Sequence, residues 1–147
     1  MLVRVLGVDF GRKRIGLAIS DASATLARPW QSIAAGTTPR ASATLVAAII
    51  RDEGVDDPVD AVVVGLPRRL SGEDTDQTAP TRQFADALAD LAGVRVHLQD
   101  ERLTSVEAES RLALRERDWR KRKAKIDAAA AAIILQDFLD APRVDAC

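Results

Sequence analysis

Hydrophobic positions open the chain in two nearly unbroken runs, Val3 to Val8 and Ile15 to Ile19, separated by a short basic turn. Runs of that length and continuity predict two buried strands joined as a hairpin. A third stretch, Thr25 to Ala35, is short and carries Pro29, which predicts a strand at a sheet edge. Within it Trp30 reads as a packing residue in preference to a stacking one. Gly36 to Pro39 breaks the pattern, with Thr38 as an N-cap and Pro39 at the first helical position. Leu45, Val46, Ile49 and Ile50 then recur at helical spacing before Gly54, so this helix has one face to bury. Val59 to Gly65 is a β-branched run of the kind found in parallel strands covered on both faces. A polar loop, Leu66 to Thr78, follows it. Pro80 opens a second helix, with Phe84, Leu88 and Leu91 on one stripe and Gly93 closing it. Val94 to Gln99 alternates between apolar and polar residues, a half-exposed strand with His97, the only histidine, on its polar side as a surface residue. Thr104 and Glu107 form a capping box for a helix over about Ser105 to Arg115. Ile126 to Leu139 predicts a last helix, with Ile133, Ile134 and Phe138 for the core and alanines at close-packing positions.

That order of elements is α/β. The first three strands make an antiparallel meander, and the later two join the first strand by right-handed crossovers. A chain of 147 residues, 47% hydrophobic, fits a single domain over residues 1–147. Its 21 bases and 22 acids nearly cancel, so nucleic-acid affinity would have to come from local clustering. The strongest cluster is Arg115 to Lys125, with seven bases against two acids around Trp119. It reads as a polyanion contact, or else as a solvated helix face or mobile loop. The single cysteine, Cys147, permits no disulfide within the chain, which suits a reducing compartment. The opening lacks a signal-peptide pattern, and no run approaches the roughly 18 apolar residues of a membrane span. A soluble, cytoplasmic protein is the expectation.

The candidate chemistry lies in the acids. Asp9 interrupts the end of an otherwise apolar strand, where a carboxylate carries a desolvation cost that a donor, an arginine or a cation must offset. Gly11 and Gly16 frame Arg12, Lys13 and Arg14, a turn that can bring backbone N–H groups and cations to an anion beside Asp9. Asp100 and Glu101 end a second strand. Asp127 opens the last helix, where it reads either as an ordinary first-turn acid favoured by the helix dipole or as a group held near the sheet by the tight alanine packing after it. Arg68 and Arg69 lie in the loop at the carboxyl end of the fourth strand, the place where ligands bind in open α/β sheets, and read as phosphate contacts or as two solvated arginines. With parallel crossovers, Asp9, the Asp100/Glu101 pair and Asp127 would converge. Clustered carboxylates repel unless cations bind between them, and oxygen ligands select Mg²⁺ or Mn²⁺. A two-metal site of that kind activates water and stabilises the leaving oxygen in displacement at phosphorus. The residues by themselves therefore point to metal-dependent phosphodiester hydrolysis.

The motifs GVDFGRKRIGLAISD, VVVGLP with Gly72 after it, Arg82 with Phe84, VHLQDERLTSVEA and IDAAAAAIILQDFL also occur in this order in the YqgF family, also called RuvX, which this chain resembles over nearly its whole length. The resemblance implies an RNase H-like fold with a central five-stranded mixed sheet, similar to the Holliday junction resolvase RuvC. It implies a cytoplasmic nuclease that trims the 5′ end of pre-16S rRNA in ribosome biogenesis. Alternatives are a Holliday junction resolvase or DNA nuclease, and a non-catalytic RNA- or junction-binding assembly factor. Carried over position by position, Asp9 matches the family's first-strand acid, Glu101 the acid of its DER motif and Asp127 the acid of its last helix. Asp100 stays open as the ligand from that motif. The nucleic-acid grip would fall to Arg12, Lys13, Arg14, Arg68, Arg69, Arg102, Arg120, Lys121, Arg122 and Lys123. Arg12 and the arginine-rich loop after GLP depart from the family's usual residues, which bears on substrate grip and not on the acids. A sugar kinase or actin-like ATPase shares the DxGxxxxxG hairpin but needs a second lobe for which this chain has no room. Partners are nucleic acid and no membrane, with a monomer or homodimer equally open.

Overall fold

The computed structural model describes residues 4–53, 58–101 and 119–141, and only the backbone at residues 53 and 119–124. The described residues form β1 (Arg4–Phe10), β2 (Arg14–Ser20), β3 (Ala27–Ala34), α1 (Pro39–Glu53), β4 (Val59–Pro67), α2 (Thr78–Ala92), β5 (Arg95–Glu101) and α3 (Trp119–Asp140). Their strands make one sheet in the order β3-β2-β1-β4-β5. β1, β2 and β3 are antiparallel neighbours, whereas β4 adds parallel to β1 and β5 parallel to β4. The meander with two crossovers is the arrangement that the apolar pattern predicts.

Strand alternation sends successive side chains to opposite faces, and the two faces are unlike. On one, Leu6, Val8, Ile15, Leu17, Val62 and Val64 pack with α1 and α2, and Phe10 stacks on Phe84 at 4.5 Å between ring centres. On the other, Val5, Ala18, Ala61 and Val63 meet Ala131, Ile134 and Leu135 of α3. The second face is built from small residues, so α3 lies close against the sheet. β-Carbons on Gly7 and Gly16 would run into α3 itself, the first 2.8 Å from the Ala131 carbonyl oxygen and the second into that of Asp127.

Local signals set the ends of the helices. Thr38 Oγ1 accepts from the Ala41 N–H at 3.0 Å and caps α1. Gly93 takes the left-handed conformation at φ 67° and donates its N–H to the Ala89 carbonyl, ending α2. The buried stripe of α1 is Ala43, Val46, Ala47 and Ile50; Leu45, expected on it, is 44% exposed because it falls outside that arc. α2 starts two residues before Pro80. α3 starts at Trp119, ahead of the expected Ile126, because the basic residues before the apolar pattern are themselves good helix formers. Asp127 therefore lies more than two turns inside the helix, which removes the first-turn reading. The expected capping box of Thr104 and Glu107, the helix over about Ser105 to Arg115, the end at Gly54, and Arg102 lie outside the described residues.

Candidate active site

Asp9 is the penultimate residue of β1 and projects toward the α3 face, the same side as Val5 and Gly7. Its cross-strand partner on β2 is Gly16, and over that glycine the backbone of Asp127 in α3 passes closely. On the β4 side, a β-carbon at Gly65 would stand 2.8 Å from Glu101 Oε2, so the Glu101 carboxylate leans across β4 toward β1. Asp9 is thus flanked by a glycine on each side. The missing side chains are what let carboxylates from β5 and α3 approach it.

The alternation of β5 separates the two acids at its end. Val96 packs toward the α1 and α2 core, and Asp100, an even number of residues on, shares that side. His97 rests its ring on Phe138 of α3, 5.0 Å between centres, and Glu101 shares that side instead. Only Glu101 is therefore on the face that holds Asp9 and Asp127. His97 is exposed and in contact with α3, away from the carboxylates.

The electrostatics record this proximity. Burial pushes the Asp9 carboxyl up to about 8, and the negative charges of Glu101 and then Asp127 push in the same direction. Asp127 Oδ2 accepts a hydrogen bond from Ser32 Oγ of β3 at 3.3 Å. Ser32 is a site residue that no sequence pattern marked, since an isolated serine in an edge strand carries no signal of its own. As they lie, no three acidic or imidazole side chains among the described residues form a closed set of ligands around one cation. The chemistry of the donors nevertheless fits a hard divalent ion, because a carboxylate whose proton affinity two neighbouring acids raise is one that a dication relieves.

The candidate phosphate contacts fall in three groups. Arg12 and Lys13 stand exposed at the tip of the β1–β2 turn, and Arg14 begins β2. Arg12 Nε donates to Gln77 Oε1 at 3.0 Å, tying the turn to the start of α2. Arg68 is half-buried with its Nε 3.8 Å from Asp74, and its backbone N–H donates to the Glu101 carbonyl, so it braces the loop beside Glu101. Arg69 is exposed in the same loop. Arg120, Lys121, Arg122 and Lys123 belong to the first turns of α3, seven to four residues before Asp127.

A family model described as "RuvX: Holliday junction resolvase" matches residues 3–141. A protein of Chloroflexus aggregans named "Putative pre-16S rRNA nuclease" is 45% identical over 139 residues, covering 95% of this chain and 94% of that protein. Proteins of the same name from Maridesulfovibrio salexigens and a Nocardioides species are 42% and 45% identical, over 93% and 94% of this chain and 98% and 88% of their own lengths. Among solved structures, Thermus thermophilus RuvC in complex with a Holliday junction substrate superposes with a TM-score of 0.51 at 18% identity, covering 93% of each chain. At that identity the likeness speaks for the fold alone, the RNase H-like arrangement of a mixed five-stranded sheet. By sequence over almost its entire length, this chain belongs to the RuvX family.

Proposed function

We propose that the chain is a nuclease that hydrolyses phosphodiester bonds, with Asp9, Glu101 and Asp127 as its catalytic acids. The observation that carries this reading is the enclosure of Asp9 at a central strand end with two further carboxylates directed toward it. Pre-16S rRNA is the proposed substrate, the one for which the curated relatives are named. The junction named in the family model's description is the second candidate.

The three acids would hold Mg²⁺ or Mn²⁺; Asp100, on the opposite side of β5, would not join them. A bound divalent ion supplies Lewis acidity toward a phosphoryl oxygen and toward water. The protein's part is to place the charges. Asp9 gives up the proton that burial holds on it, Glu101 lies beside Gly65, and Ser32 fixes one oxygen of the Asp127 carboxylate from β3 as a positioning residue. Arg12, Lys13 and Arg14 approach the same strand end from the hairpin turn and neutralise backbone phosphates, and the basic residues at the start of α3 are the further candidates for that role. Among the described residues no helix is long and apolar enough to cross a membrane, and the proposed site of action is the cytoplasm.

A cleavage panel of pre-16S RNA, single strands and four-way junctions with Mn²⁺, comparing the native chain with Asp9→Asn, tests this. Loss of three or more orders of magnitude in the variant on at least one substrate is the expected result. Cleavage of no substrate by either protein would make the chain a binding factor without turnover, and equal cleavage by both would remove Asp9 from the catalytic acids.

A further inference from the structure

We propose that the cleft between the β1–β2 turn and the amino ends of α1 and α2 binds one phosphate group, on the sheet face opposite the acids. This adds a second point of attachment to the nuclease reading, on which it rests only for the strand that would carry the phosphate.

The topology assembles this cleft. β1, β3 and β4 run in one direction, so α1, which follows β3, and α2, which follows β4, both begin at the sheet end where Asp9 lies. Between their first turns and the hairpin turn is a space of about 180 Å³, with Arg12, Thr37, Thr38, Ser42, Gln77 and Pro80 on its wall. That is below the roughly 300 Å³ at which sites for small molecules begin, so a compact group fits and a base does not. Helix amino ends favour acids, yet neither α1 nor α2 has one in its first turn. Asp76, just ahead of α2, is exposed, and among the described residues no carboxylate lines the cleft.

Two buried donors on that wall lack an acceptor. Arg12 Nε donates to Gln77 Oε1 at 3.0 Å, and because a guanidinium has only donors, this fixes which end of the Gln77 amide is the nitrogen. Gln77 Nε2 is shut off from solvent and has no partner. Ser42, 1% exposed, accepts the Gly36 N–H at 2.9 Å through its Oγ. That bond uses a lone pair and leaves the O–H proton, for which the described residues offer no acceptor. A cation, two unmatched donors and two helix amino ends without acids suit a compact oxyanion and repel a metal ion. Phosphate accepts from several directions at once. Phe10 walls the cleft and Asp9, next to it in β1, faces the acids, so a strand crossing the end of β1 passes both.

The test titrates the full chain, free of divalent metal, with inorganic phosphate while its N–H signals are followed by NMR, and uses sodium chloride at matched ionic strength as the control. Saturable shifts at Gly36, Thr37, Thr38 and Ser42 and at the Gln77 side-chain amide are expected, with no counterpart in chloride. Gln77→Glu, which sets a carboxylate against the ligand, should weaken binding by about tenfold or more, and Gln77→Leu, which only removes the donor, by less. An adenine hexaribonucleotide that drives the phosphate out identifies a strand as its carrier; one that leaves it bound identifies free phosphate. Shifts that chloride reproduces, a titration without saturation, or equal affinity in a folded Gln77→Glu protein would overturn the proposal. Cleavage that depends on Asp9 in a chain that binds no phosphate at the cleft would sink the cleft and spare the nuclease; phosphate held there by a chain that cuts no substrate would do the reverse.

Discussion

A carboxyl enclosed at the end of a central strand and approached by two further acids is unstable as an anion. For Asp9 the pKa of about 8, against 3.8 for the free side chain, means that the folded chain keeps a proton over a window in which the unfolded chain has lost it. The sign follows: between about pH 4 and pH 8 the native state binds more protons, so the stability of the metal-free protein falls as pH rises, by up to about 1.4 kcal/mol per pH unit, and levels off above that window. Asp9→Asn removes the titrating group, and thermal melts of the variant should lose the decline and show a higher Tm than the native chain at pH 8.5. Divalent ions need the deprotonated carboxylate, so the rise in Tm on adding 5 to 10 mM Mn²⁺, as an order-of-magnitude concentration, should be small near pH 5.5 and grow toward pH 8.5. A pH-independent Mn²⁺ effect, or one retained in Asp9→Asn, would place the ion elsewhere. Asp9 stood out in the sequence because an acid terminating an apolar strand has an evident cost, and the Asp100/Glu101 pair because it ends a second strand. The choice between Asp100 and Glu101 needed the register of β5 on β4, which pairs Pro67 with Glu101. Ser32 acquires its role only from folding, since it meets Asp127 across 95 residues of chain.

At the scale of elements, the site depends on how closely α3 lies on the sheet. The run of five alanines after Asp127 announced a tight contact, and the contact is there. Its other half was not announced: Gly7, Gly16 and Gly65 sit on β1, β2 and β4, where the sequence reads as ordinary strand, and only the packed structure shows what a β-carbon would strike. The consequences differ with the atom struck. At Gly16 it is the backbone of Asp127, which cannot step aside without moving α3, so Gly16→Ala should cost about 1–3 kcal/mol or more of stability and take Asp127 away from Asp9. At Gly65 one obstacle is the Glu101 carboxylate, 2.8 Å away, which can swing, and the other is the end of the Ile134 side chain. Gly65→Ala should therefore lower cleavage by about tenfold or more while melting closer to the native chain than Gly16→Ala does. Melting curves and single-turnover cleavage of the two variants, measured side by side, check the contrast; equal losses of stability with equal losses of rate would mean that α3 shifts in both. The early start of α3 also escaped the hydrophobic pattern, because a basic helical segment without apolar periodicity looks like a loop.

Across the whole molecule the charges cancel to a formal −1, so no global field draws a polyanion in, and the distribution has to do so. One feature of that distribution runs against intrinsic helix stability. Arg120, Lys121, Arg122 and Lys123 occupy the opening turns of α3, the end at which the helix dipole disfavours cations. A fold selected for stability alone would put acids there. A phosphate backbone lying along the start of α3 reverses the sign, since it answers both the basic side chains and the positive end of the helix. On the proposed reading the same element carries Asp127 and a run of bases for the substrate backbone, with the hairpin turn supplying Arg12 and Lys13. Replacing Lys121, Arg122 and Lys123 together by Ala should make the free protein no less stable and should weaken RNA binding at low salt. Three lost phosphate contacts should flatten the slope of log K against log salt by about 2. Binding isotherms between about 50 and 200 mM salt measure it, the span over which such contacts dominate affinity. At saturating substrate the single-turnover rate should stay near the native value, because the acids are untouched. A slope unchanged by the triple substitution would remove the start of α3 from the interface and leave the hairpin turn to carry the strand alone.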